Sequence, residues 1–266
     1  MKVGIAGLGT IGLPVARALA GGIPGLELAA VCSGRRDIAE KRLADAGIDV
    51  PVVGIAELPR LAEVIVECVP TAQFRTIAEP ALRAGRVLVT VSAAAILEAD
   101  DLVALAAETG ARIVLVTGAL LGLDAVRAAA EGKIRSVRMV SRKPPRSLAG
   151  APYLVQHGID VSKAAKAMLV FEGSARDGAR GFPANVNVAA ALALAGIGPD
   201  RTRLEIWADP AVTRNTHTIE VDADSARFTM TIENVPSEGN PATGQITPLS
   251  VIAALRSLTA PLRVGT

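Results

Sequence analysis

Three groups of residues in this 266-residue chain have the types and spacing of chemistry. The first is Gly7-Leu8-Gly9-Thr10-Ile11-Gly12, set between the apolar run 2–6 and the Ala-rich stretch 13–20. A glycine triplet in that context is a dinucleotide-binding turn: Gly7 permits the tight turn, Gly9 lets a pyrophosphate approach bare backbone, and Gly12 lets helix and strand lie close. The helix N-terminus then offers free N–H groups to the phosphates. The second group is Cys32-Ser33-Gly34-Arg35-Arg36, where no carboxylate precedes Asp37. An acidic residue here would bind the ribose hydroxyls of NAD, whereas arginine accommodates the 2′-phosphate of NADP. Ser33, Arg35 and Arg36 therefore predict NADP as the preferred cofactor with NAD as the second choice, unless the two arginines simply open a solvated helix. The third group is the polar stretch 209–219 around His217, with Asn185 and Asn187 at a helix start. Imidazole exchanges protons near neutral pH. A lone histidine in this position is either such an acid/base group at a sheet-edge cleft or a surface cap. The asparagines are either helix caps or donors to a carboxylate or carboxamide.

The elements that must position these residues follow from periodicity. Strands are expected at 2–6, 26–32, 52–53, 64–68, 87–91 and 113–116, with helices at 13–20, 37–46, 56–61, 72–84 and 99–108. Such alternation predicts an α/β fold with a doubly wound parallel sheet over residues 1–118. Cys68 and Ser92, just beyond the fourth and fifth strands, join Thr10 and Ile11 as cofactor-binding candidates. Past Gly118 the pattern changes. Strands at 134–141, 204–207, 217–221 and 226–233 predict a smaller α+β domain over 119–245 with a mixed or antiparallel sheet. Arg142-Lys143-Pro144-Pro145 reads as a basic turn, and 186–194 as a buried helix ended at Gly196. A last helix at 248–258 is expected to pack back on the first domain.

Composition bounds the partners. Half of the residues are apolar, and 28 basic against 26 acidic side chains leave a formal charge of +2. Without a basic cluster, nucleic acid is not an expected partner. Mean hydropathy is positive, but no apolar run reaches the ~18–20 residues that span a membrane. The first strand starts at once, so no signal peptide is expected. Cys32 and Cys68 read as buried reduced thiols of a cytoplasmic protein, and with only two histidines no metal site is expected.

The chain resembles the L-aspartate dehydrogenase family, and the resemblance runs over nearly its whole length. It is carried by Gly118-Ala119-Leu120-Leu121-Gly122-Leu123-Asp124, Ser141-Arg142-Lys143-Pro144-Pro145, residues 182–190 from Phe182 through Asn185 and Asn187, Asp209-Pro210, Asn215-Thr216-His217, Glu233-Asn234-Val235-Pro236 and Asn240-Pro241. The resemblance implies that His217 is the catalytic acid/base and that Ala119 and Asn187 contact the nicotinamide nucleotide. It implies hydride transfer from the aspartate Cα to give iminosuccinate, then oxaloacetate and ammonia. Lys143 is the cationic candidate for the dicarboxylate, beside Arg142, with Asn185, Thr216 and Asn240 as neutral donors.

Two departures bear on the substrate. Leu121-Gly122 stands where the family usually has a glycine pair, and Glu67-Cys68-Val69-Pro70-Thr71 replaces smaller residues. Both add bulk, and Pro70 removes a backbone N–H. Alternatives are therefore an NADP-dependent reductase or dehydrogenase of another small amino, imino or keto acid, on the plan of dihydrodipicolinate or homoserine metabolism, and a catalytically silent NADP-binding protein. An apolar second sheet with one face uncovered predicts a homodimer.

Overall fold

The computed structural model describes residues 1–183, 186–237 and 240–265. The chain divides into two compact units, Met1–Gly118 with Thr247–Arg263, and Ala119–Ile246.

In the first unit, β1 (Lys2–Ala6), α1 (Gly12–Ala20), β2 (Glu27–Cys32), α2 (Arg36–Asp45), β3 (Val52–Val53), α3 (Leu58–Leu61), β4 (Val64–Glu67), α4 (Phe74–Arg83), β5 (Val87–Thr90), α5 (Ala93–Ile96), α6 (Asp100–Thr109) and β6 (Arg112–Leu115) follow in order. The six strands form one sheet in the order β3-β2-β1-β4-β5-β6, and all pairings are parallel. β1 and β4 are wholly buried apart from Lys2, and apolar on both faces but for Lys2 and the closing Glu67, as befits strands covered on both sides. One layer packs Val15 and Leu19 of α1 and Leu43 of α2 against Val3, Ile5 and Val31. The other packs Phe74, Ile77 and Leu82 of α4 and Leu102 of α6 against Ile65 and Leu88. The sheet order reverses between β1 and β4, which is where ligands bind at the carboxyl ends of such strands.

In the second unit, α7 (Leu123–Ala130), β7 (Ile134–Lys143), α8 (Pro152–Gln156), β8 (Met168–Ser174), α9 (Ala175–Gly181), α10 (Asn187–Ala195), β9 (Thr202–Ala208), β10 (Asn215–Ala223), β11 (Arg227–Asn234), β12 (Pro236–Ser237) and β13 (Asn240–Gly244) follow. A five-stranded mixed sheet has the order β11-β10-β7-β9-β8, with β7 and β9 parallel and the other pairs antiparallel; β12 and β13 form a separate ribbon. The last helix, α11 (Ile246–Thr259), places Val251 and Leu255 in the core of the first unit beside α1.

Three expectations need correction. Arg142 and Lys143 are the last residues of β7, not a turn. The alternation set by Val137 and Met139 carries through them, and the chain turns only at Pro144, which has no N–H to continue the ladder. His217 lies inside β10, an interior strand paired on both sides, and not at a sheet edge. The outward face of the sheet is also not apolar. Arg138 pairs with Glu205 at 2.7 Å and Glu220 at 2.9 Å, Thr218 meets Thr231 at 3.0 Å, and the Arg142 guanidinium lies 4.9 Å from the Trp207 ring centre.

Candidate active site

The glycine turn is built as its sequence requires. Gly7 has φ +92°, and a Cβ there would lie 2.6 Å from the Cys68 carbonyl oxygen. A Cβ on Gly12 would collide with the Gly7 carbonyl. Gly9 differs: a Cβ there would stand in open space, with nothing of the protein within 4 Å. That is the cradle into which a pyrophosphate fits. Arg42 of α2 pins the turn by donating to the Leu8 carbonyl at 2.6 Å. No side chain caps α1 at Ile11, so its first N–H groups suit a phosphate. Thr10 and Ile11 are half-buried at the foot of the helix. The turn thus fits a dinucleotide.

At the end of β2, the Ser33 hydroxyl accepts from the Arg35 N–H at 3.3 Å and fixes the bend into α2. Arg35 and Arg36 are exposed, and Arg36 pairs with Glu40 at 2.8 Å. The carboxyl ends of β4 and β5 hold a buried polar cluster, of which the sequence reading singled out only Ser92 as a site residue. Glu67 accepts from the Val69 N–H at 2.9 Å and from the Thr90 hydroxyl at 2.5 Å, and Thr90 Oγ1 accepts from the Ser92 N–H at 3.0 Å. Glu67, Thr90 and Ser92 are all buried. Burial pushes the Glu67 carboxyl up while the bonds from Thr90, Ser92 and Val69 pull it down. Burial, with Glu67 next to it, also holds the Cys68 thiol well above its usual range.

The second unit carries its own buried polar set. On β7 the inward positions are Val137, Met139, Ser141 and Lys143; on β10 they are His217, Ile219, Val221 and Ala223. The register sets His217 directly opposite Ser141. Ser141 Oγ lies 2.9 Å from His217 Nδ1, and each residue is 2% exposed. Lys143, two residues along the same face, is 3% exposed. Burial lowers the Lys143 amine to about 8. Burial first, and the Lys143 charge second, lower His217 to about 3. Near neutral pH this face therefore holds a neutral imidazole beside a largely protonated amine. Such a pair can receive an anion and exchange a proton with it.

Asn234, at the end of β11, completes the set. It is 5% exposed, its Nδ2 donates to the Ala119 carbonyl at 2.9 Å, and its Oδ1 is buried without a partner. Sequence reasoning gave no role to Ser141, Asn234 or Glu67. The inward phase of β7 signals Ser141, and a glutamate closing the apolar run Val64–Glu67 signals itself. Asn234 continues the inward phase of Phe228, Met230 and Ile232 along β11, so the alternation signals it as well.

Not every expected site residue joins this set. Thr216 alternates onto the outward face opposite Arg142, with its hydroxyl 3.5 Å from the Arg214 carbonyl, and the structure does not bring it to His217. Arg142 also faces outward, bound to Asp209 at 3.0 Å. Asn187 is the first residue of α10 and is exposed, as is Asn240 on β13. Asn185 lies outside the described residues. Among the described residues, no helix is long and apolar enough to cross a membrane.

A doubly wound nucleotide unit chained to a mixed-sheet unit with a buried histidine and lysine on one face is the build of an NAD(P)-dependent dehydrogenase. The profile of the family described as "Aspartate dehydrogenase, C-terminal" matches residues 124–258, and that of "Homoserine dehydrogenase, NAD binding domain" matches residues 7–116. The L-aspartate dehydrogenase of Bradyrhizobium diazoefficiens is 54% identical, over 100% of this chain and 94% of its own length. L-aspartate dehydrogenase 3 of Bordetella bronchiseptica is 52% identical, over 100% and 98%. The solved aspartate dehydrogenase of Thermotoga maritima shares the fold, with a TM-score of 0.77 at 24% identity over 100% of this chain and 99% of that one. This chain belongs to the L-aspartate dehydrogenase family.

Proposed function

We propose that this chain is an NADP-preferring L-aspartate dehydrogenase, with residues 1–118 as its nucleotide domain and 119–245 as its catalytic and dimerisation domain. It oxidises the Cα–N bond of aspartate to iminosuccinate, which water converts to oxaloacetate and ammonia; the reverse reaction is reductive amination. The observation that supports this most is the buried His217–Lys143 pair on one sheet face. The nicotinamide nucleotide, when bound, supplies the hydride acceptor or donor.

The protein's own residues do the rest. Lys143 offers a cation to a substrate carboxylate, in a buried setting where the pairing is strong. Asn185 and Asn240 stand as neutral donors on the sequence pattern alone. His217, neutral because it is buried, takes a proton from the water that adds to the imine carbon and returns one to the departing ammonia. A bound dicarboxylate brings negative charge beside His217, offsets the Lys143 field and raises the basicity of the ring. Gly7, Gly9, Thr10, Ile11 and Gly12 hold the pyrophosphate, Ser33, Arg35 and Arg36 the 2′-phosphate, and Cys68, Ser92, Ala119 and Asn187 the nicotinamide end. The outward sheet face, rich in arginine and carrying Trp207, suits the homodimer contact, and free Cys32 and Cys68 suit a cytoplasmic setting.

One feature favours a second reading. Leu121 puts a branched side chain in the loop after Ala119, and a different small keto acid would use the room that is left. Steady-state assays with NADPH, ammonia and a panel of keto acids decide the substrate. Oxaloacetate should give the highest kcat/KM, and a clear preference for another acid would overturn the aspartate assignment. Light scattering tests the dimer: a mass of 27.2 kDa, the single chain, would refute it.

A further inference from the structure

Ser141 and His217 are directly opposed across β7 and β10. Both strands are interior, β7 held between β10 and β9, and β10 between β7 and β11. Neither backbone can drift without breaking a ladder on its other side. The 2.9 Å contact between Ser141 Oγ and His217 Nδ1 is therefore fixed by the sheet, and both side chains are shut off from water.

A neutral imidazole has one N–H and one lone pair, and its partner at one nitrogen decides what the other offers. If Nδ1–H donates to Ser141, Nε2 carries the lone pair. If the hydroxyl donates to Nδ1, Nε2 carries the hydrogen and cannot accept a proton. Lys143 stands on the same inward face one pleat further along β7. Its ammonium has only donors to offer and favours the arrangement in which the open nitrogen presents a lone pair. We infer that Ser141 is a positioning residue that accepts from His217 Nδ1–H and thereby makes Nε2 the atom that exchanges protons with substrate. This rests on the acid/base role proposed for His217 and adds to it the atom and the group that selects it.

The test uses the whole chain labelled with 15N-histidine. The sequence has only two histidines, and a His217→Asn variant assigns their signals. His157 serves as an internal standard, because its Nδ1 lies 2.8 Å from the Tyr153 carbonyl, which can only accept. Two-bond 1H–15N correlation at about pH 7.5 should show His217 neutral with Nδ1 protonated. Finding the Nε2–H form in the wild type would overturn the proposal with no variant needed. In Ser141→Ala the Nε2–H form should grow, and kcat should fall about tenfold or more with KM for oxaloacetate nearly unchanged. Ser141→Thr, which keeps the hydroxyl, should restore most of the rate. The two readings fail separately. Wild-type turnover in His217→Ala overturns the acid/base role beneath the proposal. An inactive His217→Ala beside a fully active Ser141→Ala overturns the positioning role alone.

Discussion

The Asn234 side-chain amide donates to the main-chain carbonyl of Ala119 at 2.9 Å, tying the end of β11 to the loop that opens the second unit. The bond joins residues 115 positions apart, and Asn234 is buried. Losing a buried donor leaves the carbonyl short of a partner, at a cost of about 1–3 kcal/mol. Asn234→Ala and the nearly isosteric Asn234→Asp should therefore both raise KM for NADPH about fivefold or more, with the loop around Ala119 released. An unchanged cofactor KM in both variants would separate this bond from nucleotide binding.

The end of β2 makes a charge prediction. Hydrogen bonds to an ionised group contribute about 1.5–3 kcal/mol each. Arg35→Ala with Arg36→Ala should weaken NADPH at least about tenfold while changing NADH less than about threefold. Fluorescence titration with each cofactor reads both numbers, and equal losses would refute the 2′-phosphate role. Arg36 gives up only an exposed ion pair to Glu40, so the fold should be unaffected.

Lys143 is held at a cost to stability. Its amine, lowered to about 8 by burial, is still mostly charged at neutral pH. Lys143→Met keeps the length and removes the buried charge. KM for oxaloacetate should rise about tenfold or more, and a variant that keeps its KM would contradict a substrate-binding role.

Burial of His217 sets an acid limb. Between its ordinary 6.5 and its folded value of about 3, the ring is neutral in the folded chain and protonated in the unfolded one. The unfolded state then binds more protons, so stability falls as the pH drops through this window and recovers as it rises. From about pH 7 to about pH 5 the ring alone should remove about 2 kcal/mol. Urea unfolding of wild type and His217→Asn at both pH values isolates this term. The wild-type loss should exceed the variant's by that amount.

How far the sequence could be read depended on how local the signal was. The glycine turn, the parallel alternation of the first unit and the strand character of β7, β9, β10 and β11 all lie in short-range patterns of residue type, and the structure agrees with them to within a few residues. α9 was illegible for a physical reason. Its sequence Ala-Arg-Asp-Gly-Ala-Arg-Gly is a poor helix former, and it is held by the Ser174 side chain, which accepts from the Asp177 N–H. In the site, His217 and Lys143 were readable by type, but the phase that turns them inward was not. Reading Arg142-Lys143 as a turn hid the alternation that buries Lys143 and Ser141 and turns Arg142 outward. Thr216 was misplaced for the same reason, since neighbours on a strand face opposite ways. Asn234 and Ala119 meet only through tertiary structure.

NADPH consumption measures directly whether His217 drives the proposed reductive amination of oxaloacetate. With oxaloacetate and ammonia, the wild type should turn over steadily. His217→Ala should still bind NADPH yet lose about 10²- to 10⁴-fold in kcat. Equal rates in the two proteins, or none in the wild type, would contradict the account.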